Sequence, residues 1–146
     1  MKGGRIVLPI MAHDTVDGDS IHVTVGLNLP VRLSRIDTPE LSVSEQAEAA
    51  KVARKCSDSW IHWHLLAGNR LELHAAGIGL FGRIEGDVCV DEEDVNEAGL
   101  QAVIELGVSL RQYLLDQGVA VETDGTRRHD WTKAELHKIE AKASGE

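Results

Sequence analysis

Apolar residues alternate with others at Ile6, Leu8 and Ile10, again at Ile21, Val23 and Val25, and again at Val31 and Leu33. A period of two is that of a strand with one face buried, so Arg5 to Asp37 reads as three strands in an antiparallel meander. Asp17-Gly18 and the stretch from Gly26 to Pro30 supply the turns. The period then changes. Ala49, Ala53, Cys56, Trp60, Trp63 and Ala67 recur at intervals of three and four, which predicts a helix with one face packed on the sheet and both tryptophans in the core. Ser42 and Glu45 form a capping box at its start, and Gly68 stands where it should stop. Two further strands are expected at Arg70 to Ala75 and Leu80 to Val90. Asp94 and Glu97 could cap a short helix ending before Gly107, and Ser109 with Gln112 another ending at Gly118. A last strand at Val119 to Glu122 and a helix from Thr132, capped with Glu135, complete the chain. Periodicity alone gives one α+β domain over residues 1–146.

Bulk composition narrows the class only a little. A chain of 146 residues with 42% hydrophobic content can close one core without staples. No apolar stretch approaches the roughly 18 residues of a membrane span. The run from Ile6 to Ala12, interrupted by Pro9, is shorter than most signal-peptide cores. A cytoplasmic protein is therefore expected as given, or a secreted one if the chain is a processed form. Cys56 and Cys89 stand far apart without metal-ligand spacing, and both read as buried thiols. Charge is the number that changes the picture. Lys plus Arg is 15 against 24 for Asp plus Glu, a net charge of −9, whereas a nucleic-acid binder usually carries a basic face.

Against that background three short blocks stand out: Asp17-Gly18-Asp19-Ser20, Val31-Arg32-Leu33-Ser34-Arg35-Ile36-Asp37-Thr38-Pro39-Glu40, and Phe81-Gly82-Arg83. In order and spacing they resemble the signature of the staphylococcal nuclease-like (thermonuclease) family. The resemblance implies a five-stranded OB-fold barrel with flanking helices, in which the acidic segment Asp91 to Gly107 is an insertion. It also implies a Ca2+ site, with Asp19 and Asp37 as carboxylate ligands, Thr38 giving its backbone carbonyl and Asp17 lying behind them. A hard cation with flexible coordination suits such an oxygen set. Glu40 takes the place of the general base that orients and deprotonates the attacking water. Arg32 and Arg83 become the phosphate clamps, since a guanidinium donates in a planar fork and stays charged. Taken alone, the first block would be a hairpin turn, Glu40 a first-turn acid of the following helix, and the two arginines surface residues.

The activity implied is a calcium-dependent nuclease hydrolysing phosphodiester bonds of DNA and RNA, single strands above all, by attack of a metal-bound water that leaves 3′-phosphate ends. The protein is expected to act as a monomer away from membranes. Leu80 and Phe81 stand where the family often has a lysine and a tyrosine, and Val121-Glu122-Thr123-Asp124 lacks the tyrosines that line the family's base pocket. The catalytic centre is thus complete and the substrate-holding shell thinned, so only two phosphate contacts are expected, with Arg35 outside the site. The competing reading is a non-catalytic OB-fold module that binds nucleic acid or protein, which the net acidity favours. The seven histidines, including His62, His64 and His129, read as structural or surface residues.

Overall fold

The computed structural model describes residues 6–26, 28–78 and 82–144. Among the described residues it is an α+β fold with eight strands, β1 (Ile6–Pro9), β2 (Ala12–Asp17), β3 (Ser20–Thr24), β4 (Asn28–Leu33), β5 (Ile36–Asp37), β6 (Leu71–Ile78), β7 (Ile84–Val90) and β8 (Val121–Glu122). Four helices accompany them, α1 (Ala47–Leu66), α2 (Glu97–Leu106), α3 (Leu110–Asp116) and α4 (Lys133–Ser144). Six strands form one mixed sheet in the order β1-β6-β7-β4-β3-β2, and β5 pairs with β8 separately. All neighbours are antiparallel except β4 and β7, which run parallel with Arg32 opposite Glu85. The edge strands β1 and β2 are joined by Ile10 and Met11 alone, whose amides reach Leu71 O on one side (2.8 Å) and Thr24 O on the other (2.7 Å). A link that short requires the sheet to curl until its edges approach.

Alternation places Ile21, Val23, Val31, Leu33, Leu71 and Leu73 on the inner face, each essentially buried. Between Arg5 and Asp37 there are five strands instead of the three expected. β2 is invisible to the period because only Thr15 of its six residues is buried, so its sequence Ala-His-Asp-Thr-Val-Asp carries no apolar alternation. The hairpin at Asp17-Gly18 is present, and Gly18 is required there by close approach. A Cβ would lie 2.9 Å from Ala53 Cβ and 3.1 Å from the Thr38 side chain. Ser57 donates a short hydrogen bond to Gly18 O, pinning the hairpin to α1.

α1 begins at Ala47, later than the Ser42 cap implies. A 3-10 turn over Ser44–Gln46 precedes it, and Gln46 Oε1 instead accepts from Glu40 N (2.9 Å). The buried arc of α1 is also rotated from the expected one. Ala50, Ala53, Ser57, Trp60, Ile61 and His64 face inward, while Trp63 is 54% exposed and not a core residue. Trp63 lies about 60° round the helix from Trp60, on the side away from Ile61 and His64. Cys89 is buried and Cys56 half-buried.

The strand expected at Arg70 to Ala75 extends to Ile78, and the next begins at Ile84, with Leu80 and Phe81 outside the described residues. α2 is capped by Asn96, whose side chain accepts from Gly99 N (2.8 Å); Asp94 belongs to a preceding 3-10 turn. The other two caps are as expected: Ser109 Oγ accepts from Gln112 N, and Thr132 and Glu135 bond reciprocally.

Segment 91–107 is tied to α1 by a buried polar chain. Asn69 Nδ2 donates to Gly99 O (3.1 Å) and to His64 Nδ1 (2.9 Å), His64 Nε2 donates to Gly107 O (3.0 Å), and Trp60 Nε1 to Leu106 O (3.1 Å). That pattern needs neutral imidazole, and burial moves the His64 pKa below its ordinary 6.5 despite the Gly107 bond. A folded-state pKa below the unfolded one means that the His64 contribution is complete above about pH 6.5 and is lost as pH falls through the lower folded value. The stability gap between wild type and His64→Gln in urea unfolding should therefore narrow on going from about pH 7.5 to about pH 5. A gap that stays constant would show that His64 does not change protonation on unfolding.

Candidate metal and phosphate site

The β2–β3 hairpin carries Asp19 just before Ser20, and Ser20 pairs with Arg32 of β4. Leu33 N donates to Asp19 O (3.0 Å), so the Asp19 backbone is locked to β4. After Leu33 the chain reverses through Ser34 and Arg35. Arg35 adopts φ 55°, a left-handed conformation few non-glycine residues take, and its carbonyl accepts from Thr123 N (2.9 Å). Arg111 Nε holds Ser34 O at 2.6 Å. This turn returns β5 alongside the hairpin, with Asp37 paired to Val121 of β8.

Asp19 and Asp37 thus meet, each 1% exposed. Thr38 N donates to Asp19 Oδ2 (3.2 Å) and His129 N to Asp37 Oδ2 (2.6 Å). Asp17 Oδ1 accepts from Leu41 N (3.3 Å), steadying the Pro39-Glu40-Leu41 loop from behind. Arg32 Nη2 donates to Ile36 O (3.1 Å) and lies 3.5 Å from Asp37 Oδ1 and 3.7 Å from Asp19 Oδ2. Burial raises the Asp19 pKa above its ordinary value, Arg32 and Arg128 pull against it, and Asp37 adds to the rise.

Arg128 completes the cluster, and no motif block contains it. Its Nη2 lies 2.9 Å from Asp37 Oδ1, 3.3 Å from Glu40 Oε1 and 3.9 Å from Asp19 Oδ2. A single guanidinium nitrogen therefore marks the point on which all three carboxylates converge. Among the described residues no group of three or more His, Cys, Asp or Glu side chains, this cluster included, stands arranged to hold a metal ion. The donor set nonetheless suits a hard cation: two buried carboxylates, a neighbouring carboxylate, and a buried Asp19 Oδ1 with no hydrogen-bond partner among the described residues.

Beside these carboxylates opens a cleft of about 830 Å³. Arg32 and Arg83 both line it, and so do Arg35, Arg127 and Arg128, against only Glu85 and Asp124 among acidic side chains. Arg35 is thus part of the cleft wall and not outside it. Two guanidinium nitrogens, Arg32 Nη1 and Arg83 Nε, are buried without a hydrogen-bond partner among the described residues. A pair of orphaned cationic donors on residues of one cleft suits an anion. Arg127 and Arg128 sit in the polar loop after β8, beyond the positions that the three motif blocks cover. The adjacent Arg-Arg pair after Asp124-Gly125 is the only sequence signal for them.

Comparison with protein-family models and with curated proteins yields no match. What the site can do therefore rests on its own chemistry.

The direction of the Asp19 shift has a measurable consequence. A carboxyl whose folded pKa lies above its unfolded value contributes stability below the unfolded pKa and loses it as pH rises through the folded value. Ionising Asp19 as pH rises should therefore burden the metal-free fold. Asp19→Asn keeps an acceptor for Thr38 N and removes the charge. The variant should unfold at a higher urea concentration than wild type in chelator at pH 7, and the gain should shrink at low pH. A lower unfolding midpoint for the variant would show that the arginines outweigh burial.

Proposed function

We propose that this protein is a calcium-dependent nuclease that hydrolyses phosphodiester bonds of DNA and RNA. The reading is carried by one observation: Asp19, Asp37 and Glu40 converge on a point at the edge of a cleft lined by Arg32 and Arg83, each with a buried guanidinium nitrogen that has no partner among the described residues. The staphylococcal nuclease-like order of the three motif blocks supports it. Curling of the sheet, with β1 and β2 joined by two residues, supports the further proposal of an OB-fold barrel.

In this reading Asp19 and Asp37 hold the cation, with the Thr38 carbonyl as a third ligand. When bound, calcium supplies positive charge beside a phosphoryl oxygen and favours ionisation of nearby water. Glu40, on the loop fixed by Gln46 and Asp17, orients the attacking water and takes its proton. Arg32 and Arg83 neutralise the charge that builds on the non-bridging oxygens as phosphorus becomes five-coordinate. The 5′-oxygen leaves, so the product carries a 3′-phosphate. Because water is the nucleophile, no ribose 2′-hydroxyl is needed and both nucleic acids are substrates. An open cleft favours single strands.

Incubation of single-stranded DNA with calcium should give cleavage that chelator abolishes and magnesium restores poorly, since magnesium demands stricter octahedral geometry. Arg32→Ala, Arg83→Ala and Glu40→Gln should each lower turnover by roughly a hundredfold or more, the scale of one preorganised donor, without change in circular dichroism. Near-normal turnover in all three would place the chemistry elsewhere. The alternative, a non-catalytic binding module, draws support from Arg128, whose side chain already engages the carboxylates. It would be favoured by DNA binding without cleavage under any cation.

The cleft wall changes the expected binding. Two phosphate contacts, the number expected from the motif blocks, give a slope of log affinity against log salt of about −1.4 for a single strand. With Arg32, Arg35, Arg83 and Arg127 all engaged, the slope should lie near roughly −2.8. Single-stranded DNA binding to Glu40→Gln with calcium, across a salt series, measures it. A slope of only about −1.4 would mean that Arg35 and Arg127 face solvent and not phosphate.

A further inference from the structure

We infer that Arg128 is a tethered competitor for the cation site: its guanidinium and a divalent cation occupy the Asp19, Asp37 and Glu40 carboxylates in alternation. This rests on the proposal that these carboxylates hold a cation. Its own basis is the position of Arg128 Nη2, 2.9 to 3.9 Å from an oxygen of each of the three.

Formal charge balance favours the exchange. Asp19, Asp37 and Glu40 bear three formal negative charges, and Arg32 and Arg128 two formal positive ones within reach of them, leaving one. Withdrawal of Arg128 leaves two, which match a divalent ion. Arg32 cannot play this part so readily, because it is more deeply placed and its Nη2 is also bonded to Ile36 O.

Anchoring confines the exchange to one side chain. The loop is fixed on both sides of Arg127 and Arg128. Upstream, Asp124 Oδ1 accepts from Thr126 N (2.9 Å) and from Thr126 Oγ1 (2.6 Å). Downstream, His129 N is held by Asp37 Oδ2, and the His129 ring by Glu135. Only a rotamer change of a long side chain that is 36% exposed is therefore needed, and such motions take nanoseconds or less at exposed positions. Since Arg128 also lines the arginine cleft, a guanidinium leaving the carboxylates joins a basic wall, a like-charge contact that a bound anion would offset.

An opposite charge within about 4–6 Å alters a carboxylate's proton affinity by one to three orders of magnitude, and a competing cation should be affected on a comparable scale. Isothermal titration calorimetry of the whole chain with calcium chloride tests this. Arg128→Gln should bind calcium about tenfold or more tightly than wild type. Arg128→Lys, which keeps the charge, should stay within about threefold of wild type, well under that tenfold step. Adding Asp37→Asn to Arg128→Gln should remove the tight site. Equal calcium affinity in wild type and Arg128→Gln would overturn the inference while leaving the cation site standing. An Arg128→Lys protein that binds as tightly as Arg128→Gln would also overturn it, since charge would then not be the cause. Absence of calcium binding in both wild type and Arg128→Gln, with circular dichroism of both unchanged, would bring down the cation reading and the inference together.

Discussion

Two carboxylates held at 1% exposure within reach of the same two guanidiniums are the constraint on which this molecule turns. Removing a carboxylate from water costs several kcal/mol even after the protein relaxes, and leaving one unpaired inside is worse. Every local feature around Asp19 and Asp37 answers that cost: backbone amides of Thr38 and His129 aimed at their oxygens, Arg32 from the neighbouring strand, and Arg128 from across the site. Stability alone would be served as well by apolar residues of similar size. One carboxylate oxygen still lacks a partner among the described residues, and that is the observation behind the proposed cation site.

The fold supplies the geometry by short, stiff connections. The glycine at 18 lets the β2–β3 hairpin press against α1 and Thr38, the left-handed Arg35 reverses the chain between β4 and β5, and Gln46 clasps the loop bearing Glu40. None of these parts lies in a long flexible loop. Positioning on strand ends and tight turns is what allows a carboxylate cluster to keep its spacing when its counter-ion changes.

The sequence is informative where chemistry is local and silent where it is not. Alternation reveals β1, β3 and β4 because one face of the sheet is apolar, and the Thr132–Glu135 box reveals α4 because capping needs residues three apart. β2 is hidden because it is an edge strand with a single buried residue. Trp63 falls on the wrong side because a spacing of three and four fixes a stripe without fixing which part of it faces the sheet. The motif blocks name Asp19, Asp37, Glu40 and Arg32, which meet because they sit on adjoining strands and turns. Arg128 reaches the same point from far along the chain, in a loop whose composition is ordinary for a surface turn, and only the β5–β8 pairing brings it there.

Overall charge and local charge act in opposite directions, and the local value is the one that a bound strand feels. At physiological salt the Debye length is about 8 Å, so acidic side chains on the far helices are screened from the cleft, whereas Arg32, Arg35, Arg83, Arg127 and Arg128 share its lining. The net −9 then acts mainly at long range, slowing encounter with a polyanion more than weakening the bound state. The same acidity has an opposite effect on a divalent cation, which it attracts from every side. In a chain of this charge a basic cleft is set against buried carboxylates, and Arg128 touches the carboxylates while lining the cleft.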